Sequence, residues 1–173
     1  SGDGDYADAD VLALPGGGYR MYVGYMGDHS IVSFFSEDGL YWVRESGSRI
    51  GNGAFPDAVL LPDGRVRIYY QGPGVIQSAV SSDGGITFTL EPGIRVDRGW
   101  HGDIDPDNVG APTTVRLADG RYRMYYRAGD EDDRWMNRLK SVILSAISED
   151  GLSFLPEQGV RVAPRDWIDP MAP

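Results

Sequence analysis

Three stretches of this chain are versions of one another. A repeat of that kind constrains the fold first, because each copy must be one supersecondary unit that buries its apolar face against the next. Leu14-Pro15-Gly16-Gly17-Gly18-Tyr19-Arg20-Met21-Tyr22 returns as Leu61-Pro62-Asp63-Gly64-Arg65-Val66-Arg67-Ile68-Tyr69 and again as Leu117-Ala118-Asp119-Gly120-Arg121-Tyr122-Arg123-Met124-Tyr125. A second block follows each: Ser36-Glu37-Asp38-Gly39-Leu40-Tyr41-Trp42, then Ser81-Ser82-Asp83-Gly84-Gly85-Ile86-Thr87-Phe88, then Ser148-Glu149-Asp150-Gly151-Leu152-Ser153-Phe154.

Within a unit the pattern is that of short strands. Asp57 to Leu61 reads as an apolar strand, Asp63-Gly64 as a hairpin turn, and Arg65 to Tyr70 as a strand alternating basic with apolar or aromatic residues. Val75 to Ser81 and Ile86 to Leu90 supply a third and a fourth strand. Four antiparallel strands per ~50 residues is the grammar of a β-propeller blade. The expected fold is therefore all-β, a single propeller-type domain over residues 1–173 with three blades, at about 6–47, 54–93 and 109–160, and the start of a fourth at about 168–173. The third unit is lengthened by Ala128 to Lys140, which reads as an acidic projecting loop carrying Trp135. Closed propellers use about four to eight blades, so three leave open faces. Those faces are expected to be covered by a homodimer closing a ring, or by a C-terminal part beyond this sequence.

Composition agrees and narrows the partners. Twenty Asp against six Glu, with 24 Gly and 11 Pro, favour turns over helices. A formal charge of −10 repels phosphate backbones, so nucleic acid and anionic membrane are not expected partners. No apolar run reaches the ~18 residues of a membrane span. Cysteine is absent, which removes disulfides and thiolate metal sites from consideration. No basic segment followed by an apolar stretch opens the sequence, so a secretory signal is expected to be absent or already removed; a secreted or periplasmic location is the expectation.

The Ser-x-Asp-Gly blocks are the most specific local signal. Ser and Asp side chains can bond nearby backbone N–H groups in a tight turn, and the closing aromatic can tuck between blades. Ser81-x-Asp83-x-Gly85-x-Thr87-Phe88 resembles, residue for residue, the Asp-box repeat of sialidases and related propellers, and the other two blocks are close variants. In that family the box is a structural turn, so Asp38, Asp83 and Asp150 are read as structural. Sialidase chemistry fits less well, because the Arg-Ile-Pro motif of that family is missing. Arg20, Arg67 and Arg123 recur in second strands, where pairing with blade-to-blade carboxylates or turn carbonyls accounts for them.

The first strands carry the chemical candidates. Four positions before the shared Leu stand Asp10, Asp57 and Thr113, and first strands of blades line the central channel. Here the chain resembles the five-bladed propeller glycosidases of families 43 and 130 and their furanosidase relatives. The resemblance implies that Asp10 is the catalytic base and Asp57 the second Asp that tunes pKa and orients the acid, while Thr113 departs from the Glu expected as general acid. Two carboxyl groups, one protonated and one ionised, are what glycoside hydrolysis requires. The alternative from the residues alone is that both aspartates bond loop amides.

Carbohydrate is the expected partner. Trp100 precedes an acidic run and Trp167 precedes Asp169-Pro170, so indole faces for sugar rings stand beside carboxylates for hydroxyls; Trp100, His101, Asp105, Trp167 and Asp169 are the candidate substrate-binding residues. Asp103, Asp105 and Asp107 place oxygen ligands at alternate positions, a candidate calcium site that lacks the Gly and Glu of an EF-hand. The function expected is a glycosidase-like module that acts on or binds a neutral glycan through the funnel, with a non-catalytic, self-associating binding or scaffold fragment as the alternative.

Overall fold

The computed structural model describes residues 4–99, 108–129 and 141–163. They form an all-β partial propeller of three four-stranded antiparallel sheets, and no helix occurs among the described residues. Blade one contains β1 (Tyr6–Ala13), β2 (Tyr19–Tyr25), β3 (Ser30–Ser36) and β4 (Val43–Arg44). Blade two contains β5 (Ala54–Leu60), β6 (Val66–Gln71), β7 (Ile76–Ser81) and β8 (Thr89–Leu90). Blade three contains β9 (Asn108–Arg116), β10 (Tyr122–Gly129), β11 (Val142–Ser148) and β12 (Leu155–Pro156). Strands pair in chain order within each sheet.

The turns explain why each sheet is a meander. In blade two, Leu61 and Arg65 exchange a backbone bond of 2.8 Å across Pro62-Asp63-Gly64, and Gly64 sits at φ 85°. Pro favours the second position of a type I turn, and Gly takes the left-handed residue that returns the chain into the strand. Asp63 and Asp119 bond the amides of Arg65 and Arg121 at 3.1 Å, which fixes the same turn in blades two and three.

Two expectations change in detail. The fourth strand of blade two begins at Thr89 instead of Ile86, because the Asp83 carboxylate captures the amides of Ile86 and Thr87 and keeps them in the turn. Ala128 belongs to β10, so the lengthening of the third unit starts after Gly129; residues 130–140, with Trp135, lie outside the described residues.

Alternation along β6 explains the packing. Val66, Ile68 and Tyr70 join Tyr22, Ile31 and Ile50 in a core between blades one and two, whereas Tyr69 faces the other way into a core with Met124, Tyr126 and Phe154. Successive side chains of a strand point to opposite faces, so a sheet packed on both sides reads as continuously apolar. The first five residues of β6 are all buried; β10, packed on one side, alternates buried with half-buried through Arg127. The first strands of successive blades lie side by side, and this places Asp10, Asp57 and Thr113 along one line.

Candidate functional site

Each first strand is interrupted at one equivalent place. Register breaks separate Ala7 from Asp10 in β1 and Ala54 from Asp57 in β5, and a third break lies in β9 opposite Tyr125 and Arg127. The residue two positions before each site position adopts a left-handed backbone: Asp8 at φ 55°, Phe55 at φ 51° and Ala111 at φ 48°. A non-glycine residue there is strained, and bulges of this kind re-aim the side chains that follow them. The repetition was visible in the sequence as Pro56 and Pro112 just before Asp57 and Thr113, but the left-handed residue itself was not.

The bulge turns Asp10 toward the next blade. Its Oδ2 accepts the backbone N–H of Ala58 at 2.7 Å, so the carboxylate of blade one reaches the residue beside Asp57. This is the amide-capping role that the residues alone also allowed, and it uses one oxygen. Burial raises the Asp10 pKa above its ordinary value, partly offset by the amides of Ala58 and Val11.

Asp57 is more perturbed. It is only 8 % exposed, and burial pushes its pKa up to about 7; the Thr114 hydroxyl and amide oppose the rise, and the negative charge of Asp10 adds to it. Asp57 Oδ2 and Thr114 Oγ1 are both buried without completing a hydrogen bond of ordinary length. An orphaned buried oxygen is costly to an ionised carboxylate, and protonation relieves that cost. Near neutral pH a substantial fraction of Asp57 therefore carries its proton, beside an Asp10 whose pKa burial raises as well. Two neighbouring carboxyls perturbed in this way are the electrostatic arrangement acid–base chemistry uses.

Among the described residues, blade three contributes no carboxylate here. Thr113 is exposed, pairs across from Tyr125, and it is the next residue, Thr114, that meets Asp57. Sequence alignment of the repeats singled out Thr113 and missed Thr114; the signal would have been the offset of one residue by which Asp10 reaches Ala58. The candidate ligand residues Trp100, His101, Asp105, Trp167 and Asp169, and the candidate calcium ligands Asp103, Asp105 and Asp107, lie outside the described residues. Among the described residues no group of three or more His, Asp or Glu side chains is placed to hold a metal ion.

The Ser-x-Asp-Gly turns are closed locally. Asp83 accepts the amides of Ile86 and Thr87 at 3.1 and 3.0 Å and the Thr87 hydroxyl at 2.6 Å, while Ser81 Oγ accepts the amide of Gly85 at 2.8 Å. The aromatic that closes the turn packs edge-on against the preceding blade: Phe88 on Tyr22 at 5.9 Å and Phe154 on Tyr69 at 5.8 Å between centroids. The recurrent arginines take their carboxylates from their own blade. Arg20 binds Glu45 and Arg67 binds Glu91 through paired bonds, and only the turn carbonyls come from the neighbour.

No protein-family model matches the sequence, and no curated protein matches it. Solved structures do match in fold. An endo-arabinase from Bacteroides thetaiotaomicron superposes with a TM-score of 0.73 at 15 % identity, covering 94 % of this chain and 64 % of that one. The fructan 1-exohydrolase IIa of Cichorium intybus gives 0.69 at 14 % identity, over 92 % of this chain and 33 % of that one. A thermostable family-43 glycoside hydrolase gives 0.67 at 18 % identity, over 93 % and 57 %. The chain thus spans between a third and two thirds of the length of these three proteins. At such identities the likeness is one of fold, to the five-bladed propellers of family-43-type glycoside hydrolases.

Proposed function

We propose that this chain is a glycosidase-like propeller module that acts on or binds a neutral glycan through its central funnel, with Asp10 and Asp57 as the reacting pair. The observation that carries the reading is the Asp57 carboxyl, buried, raised to about 7 and set beside Asp10 at the seam between two first strands. Hydrolysis of a glycosidic bond transfers a proton to the leaving oxygen as the C–O bond breaks, and a water attacking the anomeric carbon gives up a proton to a base. A carboxyl that retains its proton up to near-neutral pH can supply the first, and a neighbouring carboxylate can accept the second. In this assignment Asp57 is the proton donor and Asp10 the base. The structural neighbours include proteins named for arabinan, fructan and xylan hydrolysis, which supports a neutral polysaccharide as the ligand class.

A second reading is favoured by Thr113. The third blade offers a hydroxyl where the resembled enzymes carry a Glu, so the same funnel fits a module that binds glycan without turning it over. A panel of aryl glycosides run beside a glycan array separates the two. Hydrolysis abolished by Asp10→Asn supports catalysis; binding that Asp10→Asn weakens, without turnover, supports the second; neither binding nor hydrolysis overturns both.

A further inference from the structure

Each blade holds the next by three donors. Arg20 Nη1 donates to the Gly84 carbonyl, the Tyr22 hydroxyl to the Gly85 carbonyl at 3.0 Å, and Arg49 Nη1 to the Ile86 carbonyl at 2.8 Å. Blade two repeats the set on blade three: Arg67 Nη1 to Asp150 O at 3.1 Å, Tyr69 Oη to Gly151 O at 2.8 Å, and Arg95 Nη1 to Leu152 O at 2.8 Å. In both cases the acceptor is the backbone of a Ser-x-Asp-Gly turn.

Blade three carries the same donors. Arg123 is held from behind by Glu157 through Nε and Nη2, both at 2.9 Å, and Arg161 is held by Ser145 Oγ at 2.7 Å. Tyr125 stands opposite Ser145 as Tyr69 stands opposite Ser78. Neither Arg123 nor Arg161 reaches a turn carbonyl among the described residues, and the Tyr125 hydroxyl lies within reach of the Arg123 guanidinium. The side chain of Arg123 is 32 % exposed where that of Arg67 is 5 %. Val162, whose counterparts Ile50 and Val96 are 4 % and 0 % exposed in the two inter-blade cores, is 62 % exposed.

The opposite face of the chain is uncovered in the complementary way. Tyr19 is 38 % exposed, whereas its counterpart Val66 is 1 % exposed under blade one. Beside it lies the first turn, Ser36-Glu37-Asp38-Gly39-Leu40, the same five residues as Ser148-Glu149-Asp150-Gly151-Leu152. The two turns are bonded alike. In each, the Gly amide donates to the Ser hydroxyl at 2.9 Å and the Leu amide to the Asp Oδ1 at 2.8 Å, with Gly39 and Gly151 at φ 78° and 72°. The second of these turns is already seated on Arg67, Tyr69 and Arg95. The Gly39 carbonyl currently accepts Trp42 Nε1 at 3.2 Å, and its second lone pair leaves room for one more donor.

We infer that Arg123, Tyr125 and Arg161 of one copy of the chain bind the Asp38, Gly39 and Leu40 carbonyls of a second copy, so that two copies associate head to tail. The chain itself supplies the evidence of fit, because an identical turn occupies an identical set of donors between blades two and three. The contact is heterologous, and two such contacts join six blades, within the range over which propellers close. This inference is independent of the glycan reading.

Light scattering and sedimentation up to about 100 μM, where an interface of ordinary size is populated, test it directly. The expected species is twice the 18.9 kDa chain. Tyr125→Phe with Arg161→Ala on the donor face, and Gly39→Ala on the turn, should each raise the dissociation constant at least tenfold while circular dichroism stays that of the folded chain. Mixing these two variants leaves one intact contact and should restore an open dimer. Tyr69→Phe, the same change at the internal contact, should lower the melting temperature and leave association unchanged. A folded monomer throughout the range, or an assembly that the donor-face and turn variants do not weaken, overturns the inference.

Discussion

The hydroxyl of Tyr69 donates to the carbonyl of Gly151 across the seam between blades two and three, at 2.8 Å. The bond is buried, and a Cβ at Gly151 would come within 2.7 Å of that hydroxyl. A glycine is required there twice, once for its left-handed backbone and once to let the tyrosine approach.

Tyr69→Phe should therefore destabilise the chain. It deletes a donor and leaves a buried carbonyl unpaired, a loss of about 1–3 kcal/mol. The equivalent Tyr125→Phe, in dilute solution where no second copy meets it, should stay within about 0.5 kcal/mol of the parent, since no turn carbonyl meets its hydroxyl among the described residues. Urea unfolding of both variants checks the contrast, and equal effects would mean that the seam is not held as described.

Asp83→Ala should cost roughly 0.5–2 kcal/mol, as loss of a local cap does, without altering glycan affinity in the folded fraction. Bonds from the Thr87 hydroxyl, Ser81 and the turn amides depress the Asp83 pKa, so this contribution is present above the ordinary carboxylate range and is lost as pH falls below it. Thermal melts at pH 7, with a parallel binding measurement, test both halves. Loss of binding at unchanged melting temperature would relocate the turn to the site.

How far the sequence disclosed this molecule depends on the reach of each interaction. Repeated Leu-x-x-Gly and Ser-x-Asp-Gly segments announced the hairpins and the meander because a turn is decided within five residues. The placement of Asp10 and Asp57 on successive first strands followed from alignment of the repeats. What escaped was set by contact between blades. Thr114 instead of Thr113 meets Asp57, because a bulge at Ala111 re-aims the strand. Glu45, Glu91 and Glu157 carry no motif and were not singled out either, although each sits just beyond a fourth strand and holds the recurrent arginine of its own blade. A carboxylate with no motif around it acquires its role only from the blade that brings an arginine to it.

Asp57 should contribute most to the pH dependence of stability between pH 4 and 7. Its pKa is about 7 when folded and 3.8 in the ordinary state, so the folded chain binds more protons between those values and stability falls as pH rises from about 4 to about 7. The full shift corresponds to roughly 4 kcal/mol. Asp10, raised by burial, acts in the same direction. Asp57→Asn should flatten this slope and raise the melting temperature at pH 8. Denaturation at closely spaced pH values measures it; a slope over pH 4–7 unchanged in Asp57→Asn would place the titrating group elsewhere.

Asp10 and Asp57, as the proposed carboxyl pair, should respond together to a neutral glycan. Carboxyl carbon resonances of selectively labelled aspartate, followed by NMR through pH 3–9 with and without arabino-, xylo- and fructo-oligosaccharides, address it in one measurement. One carboxyl should titrate near 7, be absent from Asp57→Asn and shift downward in Asp10→Asn, and a bound oligosaccharide should move the Asp10 and Asp57 resonances together. A chain in which every aspartate titrates in the ordinary range, or in which bound glycan leaves both resonances where they were, would contradict the proposal.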